Sequence, residues 1–235
     1  MGAIFKREMR ALFNTPIGYV VMAVVFLFAG FFFYMYNLYG KSTSLTGVFS
    51  MLFYVVLIAL PLLTMRMFSE EKRQRTDQAL YTAPVSLTGI VVGKFLAVYL
   101  FFAMMLSITI VYGIVIATQV TPDWMVIFGT FFGTLLLGGI ILAAGLFFSS
   151  LTESQIIAVI VTIAFSLALI LIDNFASLLT FSPWLSEAVS FFSVNVRYAE
   201  FTRGLISYDN VFYFISLQVL FLFATTRSLD AKRWN

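Results

Sequence analysis

The sequence predicts an all-α integral membrane protein. It reads as six transmembrane helices with an N-terminal interfacial helix, a charged cytoplasmic segment between spans 2 and 3, and outer re-entrant or interfacial helices between spans 5 and 6. Three observations carry this reading. Hydrophobic residues fill 61% of the 235 positions and charged ones only 11%, against about 25% charged in ordinary soluble domains. Mean hydropathy is +1.00, and the apolar residues gather into runs near the roughly 20 residues needed to cross a hydrocarbon core about 30 Å thick. Finally, Arg66, Glu70, Glu71, Lys72, Arg73, Arg75, Asp77 and Lys94 form the only sizeable charged island between long apolar runs. A charge at the bilayer centre costs about 2.5–3.5 kcal/mol on insertion scales, so this island faces water.

Residues 2–14 open the chain as an amphipathic helix, with Ile4, Phe5, Met9, Leu12 and Phe13 on one side and Lys6, Arg7 and Arg10 on the other. Such a helix lies in the interface with its apolar face down. A signal peptide fits less well, because the following apolar run is too long for an h-region and no small-residue cleavage site follows. Pro16 pushes Thr15 out of helical geometry and ends this prelude. Span 1 is expected at 17–38, a polar turn at 40–47 and span 2 at 48–65, with Pro61 near its end, where a proline can kink a helix.

The island reads as two short helices, one over about 68–81 closed by Ala83-Pro84, and a second starting at the N-cap Ser86. The latter runs into span 3, at 90–118. Thr121-Pro122-Asp123 forms a short outer loop before span 4, at 124–148. Within span 4, Gly129 and Gly133 make a GxxxG pattern, and small residues let helices approach closely in lipid. Glycine is also simply common in membrane helices, so the motif supports close packing without naming the partner.

Residues 149–154 read as a polar turn and 155–172 as span 5, ending near Asp173. Residues 175–210, with Ser182-Pro183-Trp184, Glu187, Arg197, Glu200 and Arg203, are too apolar for an ordinary loop and too interrupted for a span. Irregular backbone at membrane depth persists only where protein or water satisfies it, hence the re-entrant or interfacial expectation. Glu200 has helical spacing to Arg197 and Arg203 and so could pair with either. Span 6 is expected at 211–226, followed by a basic aqueous or interfacial tail.

Lys and Arg near span ends set orientation. With both termini cytoplasmic, the inner side holds Lys6, Arg7, Arg10, Arg66, Lys72, Arg73, Arg75, Lys94, Arg227, Lys232 and Arg233, and the outer side only Lys41, Arg197 and Arg203. This bias explains the net charge of +3 without invoking nucleic acid. The expected location is a bacterial cytoplasmic (inner) membrane, multi-pass, in contact with lipid.

The chain has no Cys and no His, which excludes disulfides, thiolate metal sites and Cys- or His-based catalysis. Gly89 to Lys94 comes nearest to a phosphate-binding loop, but it has three residues between the glycines instead of four, and Phe95 replaces the required Ser or Thr. Lys94 is therefore expected to anchor the cytoplasmic interface. Asp173 is expected to cap the outer end of span 5, or else to contact a proton or substrate.

The stretch Phe68-Ser-Glu70-Glu71-Lys-Arg73-Gln-Arg75-Thr76, continuing through Leu80, Pro84-Val85-Ser86 and Ile90-Val-Val-Gly93-Lys94-Phe95, resembles the segment between spans 2 and 3 of ABC-2-type transport permeases. Phe201-Thr-Arg203-Gly204-Leu-Ile-Ser207, then Asp209-Asn-Val211-Phe-Tyr213-Phe214, the ending Lys232-Arg233-Trp234 and the opening Thr15-Pro16-Ile-Gly18-Tyr19 resemble the branch of gliding-motility-associated and copper-processing-type permeases. The resemblance covers essentially the whole chain, as a single transmembrane domain over 1–235. It implies a permease subunit, not itself an enzyme, that works with a second copy or a homologous permease and with two copies of a cytoplasmic ABC ATPase. ATP and Mg would be bound by that partner, with no cofactor in this chain. Glu70, Glu71, Arg73, Arg75 and Thr76 match the family's ATPase-coupling positions. A membrane-anchored auxiliary protein with an outer soluble domain is often present in that branch. Two other classes stand beside this reading: a self-sufficient secondary transporter or channel, disfavoured by the shortage of buried charge and of internal repeats, and a membrane scaffold.

Overall fold

The computed structural model describes residues 1–76, 86–178 and 193–233, and the described residues are helical and loop with no strand. Within them, ten α-helices follow in order: α1 (Gly2–Asn14), α2 (Pro16–Phe33), α3 (Thr46–Thr64), α4 (Arg66–Arg73), α5 (Leu87–Leu106), α6 (Ile108–Ala117), α7 (Trp124–Leu151), α8 (Gln155–Leu178), α9 (Val194–Thr202) and α10 (Tyr208–Arg233). Among the described residues, five helical stretches are long and apolar enough to cross a membrane: Pro16–Tyr39, Thr46–Arg73, Leu87–Ala117, Trp124–Leu151 and Tyr208–Ala231. The expected count of six is not reached. Among the described residues α8 contributes a shorter apolar stretch, Gln155–Leu171, within a helix that runs on to Leu178.

Local chemistry sets the breaks. Thr15 is extended (φ −106°, ψ 144°) before Pro16, and Pro16 opens α2, where its missing N–H costs nothing. At its far end α2 widens into a π-helical turn, Tyr34–Tyr39. The Oγ of Ser86 accepts from the Gly89 N–H at 3.2 Å to start α5, and the Asp123 carboxylate accepts from the Met125 and Val126 N–H groups to start α7. Span 3, expected as one helix, is divided at Ser107 into α5 and α6, and the Ser107 hydroxyl donates back to the Met104 carbonyl.

Span 2 does not stop where the charges begin. Met65 keeps helical angles (φ −52°, ψ −37°) between α3 and α4, so the charged segment grows directly out of the span. The helix expected to reach Tyr81 instead ends at Arg73. Arg75 takes a left-handed φ of 55°, and the Thr76 N–H reaches the Glu71 carbonyl while the Arg75 N–H reaches that of Lys72. This is a Schellman turn, which satisfies carbonyls the helix end would leave open. Asp77, Ala83 and Pro84 lie outside the described residues.

Two more boundaries move outward. The polar turn expected at 149–154 is helical through Leu151, and Ser149 and Ser150 are buried. Helix α8 continues past Asp173 to Leu178. Of the section expected to be re-entrant or interfacial, the structure describes the end of α8, the short helix α9, the turn after it and the first residues of α10, which starts at Tyr208; Ser182, Pro183, Trp184 and Glu187 lie outside the described residues.

Helix α7 is the hub, packing against α3, α4, α5, α6, α8, α9 and α10. Its glycines make this possible. A Cβ on Gly138 would stand 2.2 Å from the Phe102 ring of α5, one on Gly139 2.5 Å from the Gln218 amide of α10, and one on Gly145 2.1 Å from the Thr64 hydroxyl of α3. In lipid, where apolar burial gives helices no drive to associate, such close approach supplies van der Waals contact and hydrogen bonds. One such bond runs from the Gln218 side chain to the Leu136 carbonyl at 2.9 Å.

Candidate functional site

Lys94 lies about two turns past the Ser86 cap, and α5 passes close beside α1 there, with Gly93 against Ile4. Lys94 is 1% exposed. Its three ammonium protons meet three acceptors: Glu8 Oε1 at 3.1 Å, Glu71 Oε1 at 2.8 Å and the Met67 carbonyl at 2.7 Å. The Nζ also sits 5.0 Å from the centre of the Phe68 ring. Lys94 is thus no interface anchor reaching to water, as the sequence had indicated; it is a buried cation shared by α1, α4 and α5.

The second cation of the cluster is Arg7, half exposed on α1, which donates to Glu8 Oε1 at 2.6 Å and to Glu71 Oε1 at 2.8 Å. Burial pulls the Glu8 carboxyl upward, but the Lys94 ammonium and Arg7 guanidinium outweigh it and hold that carboxyl below its ordinary range. Glu8 had escaped notice because it shares the buried line of α1 with Ile4 and Leu12. A single acid at that register, one turn from each apolar neighbour, is the only sequence signal for it.

A second set of contacts ties α4 to the end of α7. The Ser149 hydroxyl accepts from the Phe68 and Ser69 N–H groups, both at 3.1 Å, and donates to the Met65 carbonyl at 3.0 Å. Buried Lys72 donates to the Ser150 carbonyl, placing positive charge at the C-terminal end of α7, where the helix dipole favours it.

The five residues expected to couple to an ATPase therefore divide. Glu71 turns inward to Lys94 and Arg7 and is not a free docking charge. Glu70 is partly buried, paired with Arg66 at 3.1 Å and accepting from the Gln74 side chain. Arg73, Arg75 and Thr76 are exposed. A cleft of about 370 Å³ opens beside them, lined among others by Arg7, Glu8, Arg66, Glu70, Glu71 and Lys94. The glycines that failed as a phosphate loop lie in the first turns of α5, in regular helix.

At the opposite side of α7, Gly129 and Gly133 receive α9 of the same chain. A Cβ on Gly133 would stand 2.5 Å from that of Phe201, and one on Gly129 2.8 Å from the Phe201 carbonyl and 2.9 Å from Gly204 Cα. Gly204 has φ +78° and closes α9 in a second Schellman turn, with Leu205 N–H on the Glu200 carbonyl and Gly204 N–H on that of Phe201. Arg197 stacks 4.3 Å from the Tyr213 ring and donates to Asn210 Oδ1, while the Asn210 amide donates to Glu200. The direct pairing expected of Glu200 is absent among the described residues: buried Asn210 stands between Glu200 and Arg197, and Arg203 is exposed at the end of α9. The Asp173 side chain lies outside the described residues.

These helices define a multi-pass membrane protein. The model of the family described as ABC-2 family transporter protein matches residues 14–229, and the chain belongs to that family. A search of curated proteins finds no match.

Proposed function

We propose that this chain is the permease subunit of an ATP-binding cassette transporter, driven by a separate cytoplasmic ATPase to move a substrate across or out of the membrane. The observation that carries the proposal is the placement of α4. It extends a membrane span, ends in an exposed basic turn at Arg73 to Thr76, and is fastened through Lys94, Glu8 and Glu71 to α1 and α5 and through Ser149 and Lys72 to the central helix α7. A push on the basic turn therefore reaches α3 along the chain and α1, α5 and α7 through buried polar contacts, a geometry suited to converting a partner's rigid-body movement into altered helix packing. Differential ATP affinity for the two arrangements would supply the drive.

In this reading two ATPase copies, each holding ATP and Mg, dock on two permeases, with both termini of the chain cytoplasmic, in a bacterial inner membrane. The chain acts as one transmembrane domain, α8 serves as the sixth span, and α9 lies on the outer side. The second resemblance, at Phe201 to Ser207, is the ground for reading the chain as one of the gliding-motility and copper-processing branch, where an auxiliary protein often joins the complex. The test is co-purification from the native cell in mild detergent with proteins identified by mass. The expected result is an ATPase that accompanies the wild type and is lost from Arg73→Glu/Arg75→Glu, whose yield is unchanged. Recovery of the chain alone in several detergents would refute the subunit reading in favour of a self-sufficient carrier.

A further inference from the structure

We infer that the end of the bundle opposite α4 holds a specific phospholipid site, built by the π-helical turn of α2 and the end of α6, and that its ligand carries a phosphate and a primary ammonium, as phosphatidylethanolamine does. A cleft of about 400 Å³ lies there. Phe33, Leu38, Val115, Ile116 and Val120 give it apolar walls, and Asn37, Lys41, Ser42, Thr43 and Gln119 a polar rim. This division of apolar wall and polar rim matches an acyl chain with its headgroup at the membrane surface.

Two polar groups specify the headgroup. Lys41 is the only charged residue in the lining and makes no ion pair among the described residues. It is exposed and held in a left-handed turn at φ 52°, and its cation suits a phosphate. Asn37 is buried at 8% exposure. Its Nδ2 donates to the Ser42 carbonyl at 2.7 Å and the Ser44 carbonyl at 3.1 Å. Both amide protons are thereby used, and a flipped amide would set oxygen against oxygen. The Oδ1 of Asn37 is consequently a fixed acceptor, and it has no donor among the described residues. A buried acceptor without a donor is costly, so a small movement that brings an ammonium N–H to it is favoured. Phosphatidylcholine offers the same phosphate and chains but no N–H donor, and is the discriminating comparison.

The full-length protein, purified in mild detergent and offered phosphatidylethanolamine or phosphatidylcholine of matched chains, would be examined by native mass spectrometry. The expected result is one retained phosphatidylethanolamine per chain with little phosphatidylcholine, and a loss of about tenfold in Lys41→Asn, the size expected for one charge-assisted hydrogen bond. Asn tolerates the left-handed backbone, so the substitution leaves the turn intact, and Lys41→Arg should retain the lipid. Equal retention of the two lipids by the wild type, or retention unchanged in Lys41→Asn, would overturn the assignment. Displacement of the lipid by inorganic phosphate would overturn it too, making the site one for a free anion.

Discussion

At the scale of single residues, the cluster around Lys94 sets the strongest expectations. A buried charge is tolerable only while its partners remain, and removing one member of such a pair typically costs about 3–5 kcal/mol. Lys94→Met leaves the partly buried Glu8 and Glu71 sharing only the half-exposed Arg7, and a large fall in thermal stability in detergent is expected. Pairing it with Glu8→Gln should recover part of that loss, because one stranded carboxylate disappears; a double variant no more stable than Lys94→Met would argue against the pairing. The acid side of this cluster has a defined pH sense. The Glu8 carboxyl is held below its ordinary value in the folded chain, so its contribution is complete above about pH 4.3, the ordinary glutamate value, and is lost as pH falls through the lower folded value. Melting followed between neutral and acid pH should show the wild type losing stability in that acid window and Glu8→Gln losing less.

At the scale of elements, the turns explain what the sequence made visible and what it hid. Ser86, Asp123 and Thr15-Pro16 are local signals, each acting within a few residues, and the helix starts they mark were readable directly. The stop after Arg73 was not, because its left-handed residue is Arg75 instead of the glycine that usually announces such a turn. The inward turn of Ser149 was equally hidden: two serines read as a polar loop until α4 supplies backbone donors from 80 and 81 positions away. Arg75→Gly removes the Cβ penalty at φ 55°, roughly 1 kcal/mol, part of which is offset by the greater freedom of the unfolded chain. Slower amide hydrogen exchange at the substituted position and at Thr76 would reveal the gain, and faster exchange would contradict it. Gly133→Val has the opposite sense. Its Cβ would lie 2.5 Å from that of Phe201, so α9 must be displaced at a cost of about 1–3 kcal/mol, measurable as a lower melting temperature and increased proteolysis within α9.

For the whole molecule, the question is which helices move together. Composition and run lengths announced a membrane bundle, but nothing along the chain could show that Lys94 would draw in Glu8 from 86 positions away and Glu71 from 23, since such pairings belong to the folded arrangement. Those contacts fasten α4 to α1 and α5, and Ser149 and Lys72 fasten it to α7, through largely buried polar groups. Breaking them leaves polar atoms unsatisfied in a poorly hydrated environment, whereas moving them as a unit does not. We therefore expect α4 and the end of α7 to travel as one rigid body during transport. The absence of cysteine from the chain makes this directly testable, because Ser69→Cys with Ser149→Cys introduces the only thiols, at positions where the Ser69 N–H already lies 3.1 Å from the Ser149 hydroxyl. In the proposed complex with an ATPase, oxidation of the pair should leave ATP-driven transport near the level of the reduced sample. Transport that stops on oxidation and returns with reductant would instead place the moving joint between α4 and α7, and the drive would then have to reach the bundle through Lys94 and α1.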